Sequence, residues 1–194
     1  MIMDSQNKNS VDAMDGIESR GMKERGGRTN SFLVLRVLAF VLTSTAAIVH
    51  GVNNQTETVP IQLTSSMPPL YVPVVAKWHY LSAFVFFVVS NAIACSYAAI
   101  SVMLSFCGKK SMVPIILTLD LLMVALLFSS NGAATAIGVM GYKGNSHVKW
   151  NKVCNVFGKF CNQVAASVVL SLIGSIVFVL LVMLTAFRLH NKSK

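Results

Sequence analysis

The sequence predicts an all-α integral membrane protein, a bundle of four transmembrane helices with both termini in the cytosol. Of its 194 residues, 54% are hydrophobic and 12% are charged, whereas a soluble domain carries about twice that charge. Four apolar runs are each long enough to cross a hydrocarbon core of about 30 Å, which takes about 20 helical residues. Lys and Arg are concentrated on one side of these runs, as orientation signals of membrane proteins are.

Residues 1–30 are polar, contain several glycines and lack apolar periodicity. Such a composition cannot bury enough apolar surface to fold, so we expect a disordered cytosolic N-tail. No small-residue cleavage pattern closes the first apolar run. That run is therefore predicted to be an uncleaved signal anchor.

A membrane domain is predicted over residues 31–188, followed by a cytosolic tail at 189–194. Backbone groups in lipid must be paired within the segment, so apolar runs of this length are expected to be helices. The four predicted spans are residues 32–52, 79–106, 112–139 and 163–187.

The distribution of cations predicts the orientation of these spans. Ten Lys and Arg residues lie in the N-tail, the link between the second and third spans, and the C-tail, and five lie in the other two loops. The positive-inside rule places the richer side in the cytosol. The net charge of +9 therefore reflects membrane orientation, and since no nucleic-acid-binding module is present, no nucleic acid partner is predicted.

Two opposite charges interrupt the apolar spans. Counted from the predicted cytosolic ends, Arg36 lies roughly 7 Å deep and Asp120 roughly 11 Å deep at 1.5 Å per residue. Each alone opposes insertion by about 2.5–3.5 kcal/mol. We therefore expect a structural ion pair between the first and third spans. The alternative is an ion or proton path through Asp120, although relays use several ionisable groups and no other acid occurs in a span.

Small and polar residues are expected to join the spans. Asn91 and Asn131 are predicted to form hydrogen bonds between helices, and small residues recur at every fourth position in each span. Such spacing allows close helix approach. The predicted stripes are Ala39/Thr43/Ala47, Ser90/Ala94/Ala98, Gly132/Ala136 and Ser167/Ser171/Ser175.

The two outer loops carry a few candidate sites. Cys154 and Cys161 lie in the second loop, where a cysteine pair in an oxidising compartment indicates a disulfide. A zinc site that adds His147 is the alternative. Asn54 begins an NQT sequon that faces outside and is a candidate for glycosylation, although it lies close to the membrane. The first loop contains four prolines, so we expect it to be extended and to offer a contact surface.

Sequence motifs for enzymatic chemistry are not found. The sequence contains no P-loop, nucleophile elbow, dinucleotide fingerprint or helical pair of metal ligands. Both predicted outer loops are short, about 27 and 22 residues by the predicted spans, and cannot form an ordinary catalytic domain. We therefore predict no enzymatic activity, no cofactor and no metal.

Several of these residues together resemble the Casparian strip membrane domain protein family. The resemblance covers essentially residues 30–188, and "KWHYLSAFVFFVVSNAIACSYAAIS" is most similar to the CASP-like members of land plants, in their first subgroup. The layout is also similar to that of the four-span MARVEL proteins. The residues that carry the resemblance are Arg36, Asp120, Trp150, Cys154 and Cys161.

The resemblance implies a multi-pass plasma-membrane protein that forms homodimers, larger oligomers and heteromers with related family members among the membrane lipids. In the strip-forming members, such assemblies make a membrane platform that restricts diffusion and guides local cell-wall modification. Their short acidic and aromatic stretch in the first loop does not occur here, which argues against a Casparian strip role but not against a scaffold. The predicted function is thus a non-enzymatic scaffold. The alternatives are a small transporter or channel subunit that uses Asp120 and a trafficking protein of the MARVEL type.

Overall fold

The computed structural model describes residues 31–61, 70–106, 113–144, 147 and 152–193. The predicted disordered tail at 1–30, the link at 107–112 and Trp150 lie outside these residues. The chain divides into two compact units, Met1–Leu35 and Arg36–Lys194. The described end of the first unit is helical, and the features that follow belong to the second.

In the described part of the chain, four helices are long and apolar enough to cross a membrane. The predicted class of helical, four-span membrane protein is therefore confirmed. The last helix continues to Ser193, so the described residues of the predicted C-tail extend it. The helices are α1, Ser31–Gly51; α2, Ser82–Phe106; α3, Val113–Lys143; and α4, Gly158–Ser193.

Helix α3 has a residue suited to each of its ends. Pro114 is its second residue, where the N–H that proline lacks has no helical acceptor in any case. Gly144 follows the last residue with a φ of 71°, and its N–H donates to the carbonyl of Met140 at 2.9 Å. This left-handed conformation favours glycine and ends the helix without a steric penalty.

The loop between α1 and α2 contains a β-hairpin that the sequence analysis did not predict. Strands β1, Asn54–Ile61, and β2, Leu70–Lys77, pair antiparallel, with Asn54 opposite Lys77 and Ile61 opposite Leu70. The sequence analysis predicted an extended loop, and the strands are its extended parts. We call this side of the bundle the hairpin end.

The position of the prolines shows how the hairpin is hydrogen-bonded. Thr58 lies opposite Pro73, and Pro60 lies opposite Tyr71. Antiparallel pairs alternate between those that exchange two N–H···O bonds and those that exchange none. Because proline has no N–H, these two pairs belong to the second kind. Both proline nitrogens therefore face the outer edges of the hairpin, where a missing donor costs no ladder bond.

Aromatic and small apolar side chains form a core at the hairpin end, and Ala76 of β2 packs against it. This core joins all four helices to one another and to the hairpin. Its buried members are Ala46, Phe84, Phe87, Ala134, Phe157, Phe160 and Val164.

Many residues on the inner faces of the helices are small and often polar, and many large apolar residues face outward. Phe40, Leu121 and Phe187 are exposed, whereas Thr43 and Ser90 are buried. This pattern suits a protein surrounded by lipid, because packing in lipid relies on close contact of small residues and on hydrogen bonds between helices.

One predicted stripe of small residues faces outward. The stripes of α1, α2 and α4 are buried apart from the partly buried Ala47, but Gly132 and Ala136 of α3 are exposed. The face that α3 turns inward carries Leu127 and Ala134 instead. The α3 pair is therefore available for contacts outside this chain.

Candidate functional site

Arg36 and Asp120 meet inside the bundle, at the end away from the hairpin. Arg36 is five residues from the start of α1, and Asp120 is seven from the start of α3. Their side chains are 1% and 0% exposed. The Nη2 atom of Arg36 lies 2.9 Å from Oδ2 of Asp120, and Nη1 lies 3.5 Å from Oδ1. The guanidinium therefore faces the carboxylate with one short and one long hydrogen bond.

Tyr97 of α2 completes this arrangement. Its hydroxyl donates to Oδ1 of Asp120 at 2.7 Å and also lies 3.2 Å from the carbonyl oxygen of Ile116. The oxygen with the weaker contact to Arg36 thus receives a short bond from another helix. We call Arg36, Tyr97 and Asp120 the charge clasp, since they connect α1, α2 and α3.

The fourth helix contacts the charge clasp through an aromatic ring. The ring centroid of Phe178 in α4 lies 6.3 Å from that of Tyr97, within the range in which aromatic pairs attract each other. Phe178 is fully buried. The position of the Tyr97 hydroxyl is therefore set by packing against α4 as well as by its hydrogen bonds.

Tyr97 was not among the residues predicted from the sequence, although the depth count that paired Arg36 with Asp120 could have found it. Tyr97 lies nine residues before the end of α2 at Phe106, or roughly 13 Å along the helix. Asp120 lies roughly 10 Å from the start of α3 by the same measure. A hydroxyl at matching depth on the neighbouring helix was the available signal.

The chemistry of the charge clasp is that of a closed structural contact. Both carboxylate oxygens of Asp120 have donors, and the residue is fully buried. His50 lies at the other end of α1, fourteen residues from Arg36, or roughly 21 Å away along the helix. Within the described residues, no group of three His, Cys, Asp or Glu side chains is placed to hold a metal ion.

A second polar contact joins α1 to α4 near the hairpin. Nδ1 of His50 lies 2.8 Å from the hydroxyl of Ser167. That hydroxyl donates its own proton to the carbonyl of Val164 at 2.8 Å, so the imidazole donates from Nδ1. The ring packs between Phe84 and Phe87, with centroid distances of 4.8 Å to each. Its Nε2 is buried and has no partner among the described atoms.

Two side chains of the first loop hold the beginning of α4. The amide of Asn53 donates to the carbonyl of Phe160 at 3.0 Å, and the N–H of Phe160 donates to the side-chain oxygen of Gln55 at 2.8 Å. The first N–H groups of a helix have no acceptor within the helix. Gln55 thus satisfies a backbone N–H that α4 would otherwise leave unpaired, and Asn53 adds a contact to a helical carbonyl. Sequence patterns gave no sign of these contacts.

A disulfide joins Cys154 and Cys161, with 5.7 Å between their Cα atoms. Cys154 lies in a short 3₁₀ turn, Val153–Asn155, and Cys161 lies in the first turns of α4. Because each sulfur is bonded to the other, neither is available for the zinc site that was the alternative. The bond attaches the second loop to the start of α4.

The other predicted residues are placed as follows. Asn54, the candidate glycosylation site, is exposed at the start of β1. Asn131 donates to the hydroxyl of Ser175 at 3.2 Å, a bond between α3 and α4. Asn91 donates to Phe87 of its own helix at 2.9 Å, so the predicted bond from Asn91 to another helix is wrong.

Comparison with known proteins agrees with this architecture. The Casparian strip membrane protein domain matches residues 25–177, a range that begins before α1 and ends within α4. The chain belongs to the Casparian strip membrane protein family.

Relatives within the Casparian strip membrane protein family match nearly the whole chain. CASP-like protein 1E1 of Populus trichocarpa is 61% identical over 99% of this chain and 100% of its own length. CASP-like protein 1E1 of Glycine max is 54% identical over 93% and 100%, and that of Arabidopsis thaliana is 54% identical over 96% and 100%. The resemblance to the CASP-like members is thus confirmed.

No solved structure matches this member of the Casparian strip membrane protein family. The geometry of the charge clasp and of the hairpin end is therefore described from this chain alone.

Proposed function

We propose that this chain is a non-enzymatic scaffold of the plasma membrane, with both termini in the cytosol. Copies of the chain associate with one another and with related family members through their membrane helices. The assembly organises a membrane domain and guides modification of the adjacent cell wall. The Lys and Arg distribution supports this orientation, which places the hairpin end, with Asn54 as a candidate glycan acceptor, outside the cell.

The observation that carries this proposal is a face of small residues on the outside of α3. The four residues are exposed and follow one another at spacings of four, three and four, which places them on one side of a helix. A Cβ atom built at Gly132 would meet no atom within 4 Å. We call this the small face; it consists of Ala125, Ser129, Gly132 and Ala136.

A small face suits contact between helices better than contact with lipid. The hydrophobic effect does not drive helices together in a bilayer, so association relies on the close approach that small residues permit. In the most apolar stretch of α3, 17% of the residues are buried, against 39% in α4. Helix α3 has the smallest buried share of the four helices, so part of its surface is available for contacts outside the chain.

The charge clasp supports a scaffold more than the transporter alternative. Both oxygens of Asp120 are engaged, and the charges connect helices. A relay would need an accessible carboxylate and further ionisable groups in series.

The test replaces small side chains of the small face with leucine without disturbing the fold. Gly132→Leu and Ala136→Leu add side chains where the chain itself has room, so each variant should keep the monomer stability and lose the oligomer. Ala92→Leu makes the same change at an exposed position of α2 and should leave the oligomer intact. The measurements are native-gel sizing of detergent extracts and fluorescence recovery after photobleaching in the plasma membrane.

The proposal predicts a large, slowly exchanging pool for the wild type and for Ala92→Leu, and a mobile small species for the two α3 variants. A wild-type protein that is mobile and monomeric would overturn it. An oligomer unchanged by both α3 substitutions would show that the small face does not mediate assembly.

A further inference from the structure

An apolar groove lies at the hairpin end, between the last turns of α3 and the first turns of α4. Its volume is about 460 Å³, and pockets for small ligands measure about 300–1,000 Å³. The wall from α3 extends from Ala134 to Tyr142, and the wall from α4 extends from Phe160 to Val169. Each wall is roughly 12–14 Å long, close to half of the hydrocarbon thickness of about 30 Å.

Two glycines make the α3 wall of the groove flat. A Cβ atom at Gly138 would lie 3.9 Å from Val164, and one at Gly141 would lie 3.8 Å from the sulfur of Cys154. The disulfide borders the groove at its hairpin end, and Leu81 and Phe84 border it from the α2 side. These walls present almost only carbon and sulfur to an occupant.

The rim of the groove lies on the outer surface of membrane-spanning helices. Val139 is 48% exposed and Val169 is 56% exposed, and both line the groove. Because both helices are long and apolar enough to cross a membrane, the acyl chains of lipid are the medium around this rim.

Cations lie beside the lining residues in the sequence at the end of the groove nearest the hairpin. Three exposed lysines each lie next in sequence to a residue that lines the groove. The sequence from 143 to 159 contains four lysines and no acid, and Glu57 is the acid described at this end. An apolar groove with cations at one end is complementary to an anionic lipid, which has an apolar tail and a negatively charged headgroup. The three lysines are Lys143, Lys152 and Lys159.

We propose that the groove binds one acyl chain of an anionic phospholipid from the surrounding membrane. The tail lies along Gly138 and Val168, and the headgroup is held by Lys143 and Lys159 at the helix ends. This inference goes beyond the scaffold function and does not depend on it, since the groove lies within one copy of the chain.

The test uses full-length protein in nanodiscs and two photoactivatable probes that carry a diazirine at the end of one acyl chain. One probe is phosphatidylglycerol and the other is phosphatidylcholine. Mass spectrometry of the cross-linked peptides should place the phosphatidylglycerol label on the walls at 134–142 and 160–169. Unlabelled phosphatidylglycerol should compete for this labelling and unlabelled phosphatidylcholine should not.

Neighbouring alanines provide a matched pair of variants. Ala165 lines the groove and Ala166 does not, although both are exposed. Ala165→Trp should fill the groove and reduce wall labelling at least about tenfold, as a loss of 1.4 kcal/mol would. Ala166→Trp adds the same ring elsewhere and should leave the labelling unchanged. If Ala165→Trp does not fold, Val169→Trp from the same wall replaces it.

The lysines are tested separately from the tail site. Lys143→Gln and Lys159→Gln should each lower the preference for phosphatidylglycerol about fivefold, since a cation near an anionic lipid surface contributes about 1 kcal/mol. Lys77→Gln, which removes a cation from the end of β2 that does not line the groove, should not lower it.

Three results would overturn the proposal. Labelling spread evenly over all four helices would indicate ordinary surrounding lipid. Equal labelling by both probes would show that the protein does not select the anionic headgroup. Cross-links from the groove to a second copy of the chain would show a protein occupant. The monomeric variant Ala136→Leu should retain the labelling, so failure of assembly and failure of lipid binding are distinguished.

Discussion

Tyr97 donates a 2.7 Å hydrogen bond to the oxygen of Asp120 that Arg36 reaches only at 3.5 Å. The hydroxyl therefore gives Oδ1 of Asp120 the short hydrogen bond that Arg36 gives only to Oδ2. Because the three residues come from three helices, the charge clasp fixes how α1, α2 and α3 meet.

The charge clasp predicts that its two charged residues are coupled. Arg36→Leu or Asp120→Leu leaves the other charge buried without its partner and should lower the free energy of unfolding by about 3–5 kcal/mol. The double variant leaves no buried charge and should be less destabilised than either single variant. Unfolding in mixed detergent micelles measures all three in a double-mutant cycle.

Lys152→Leu is the control, since loss of this exposed cation should change the stability by less than about 0.5 kcal/mol. Additive losses in the double variant would show that Arg36 and Asp120 do not support each other.

Tyr97→Phe should lower the free energy of unfolding by about 1.5–3 kcal/mol, the usual contribution of a hydrogen bond to a charged group. The ring contact with Phe178 is retained in this variant, so the loss reports on the hydroxyl. The same detergent unfolding measures it. Tyr80→Phe removes a hydroxyl from a residue that is 63% exposed and should have little effect. Equal stability of both variants would contradict the role assigned to Tyr97.

The disulfide predicts equal losses from either cysteine. Cys154→Ser, Cys161→Ser and the double variant should each lose about 2–3 kcal/mol, because the bond closes a loop of eight residues. Dithiothreitol should destabilise the wild type by the same amount and leave the variants unchanged. Cys95→Ser, at a free cysteine in α2, is the control for loss of a thiol. A wild type insensitive to reduction would contradict this prediction.

Two glycines should respond oppositely to the same substitution. A Cβ atom at Gly174 of α4 would lie 3.3 Å from Cγ2 of Thr43 and 3.5 Å from Cβ of Leu42, so α1 and α4 approach closely here. Gly174→Leu overfills this contact and should destabilise the monomer by about 1–3 kcal/mol. Gly132→Leu, on the small face, should leave monomer stability unchanged or raised, because leucine favours a helix more than glycine does. Unfolding at a detergent concentration that keeps both variants monomeric compares them.

Hydropathy predicted the four helices, but not which face of each turns inward. In a soluble protein, apolar residues mark the buried face; in this one, Leu121 and Phe128 on the outside are as apolar as Leu127 inside. Lipid and the protein interior both favour apolar side chains, so hydropathy does not distinguish the lipid-facing side of a helix from its buried side. For this reason hydropathy could not show that Gly132 and Ala136 face outward, and Asn91 was expected to reach another helix.

Charge could be interpreted from the sequence more reliably than packing. A buried Arg or Asp needs a partner, and depth along the helix limits the choice, so Arg36 could be matched to Asp120 before any geometry was known. The contacts of His50, Asn53 and Gln55 depend on neutral groups whose partners lie more than a hundred residues away. Neutral groups have many acceptable partners, and no pattern in the chain selects one.

The hairpin was missed because Pro60 and Pro73 weaken any prediction of a strand. The register shows that they occupy the pairs that exchange no hydrogen bond. Sequence periodicity alone cannot show on which side of a strand a proline nitrogen lies.

The same two prolines have a consequence for crowded membranes. A bare strand edge invites a neighbouring molecule to add its own strand, which leads to aggregation. Each edge of this hairpin has a gap in its row of donors, so two hairpins brought side by side cannot form a continuous sheet. In the assembly proposed above, copies held at high density by their membrane helices can therefore lie close together without their hairpins fusing, and the assembly can remain reversible.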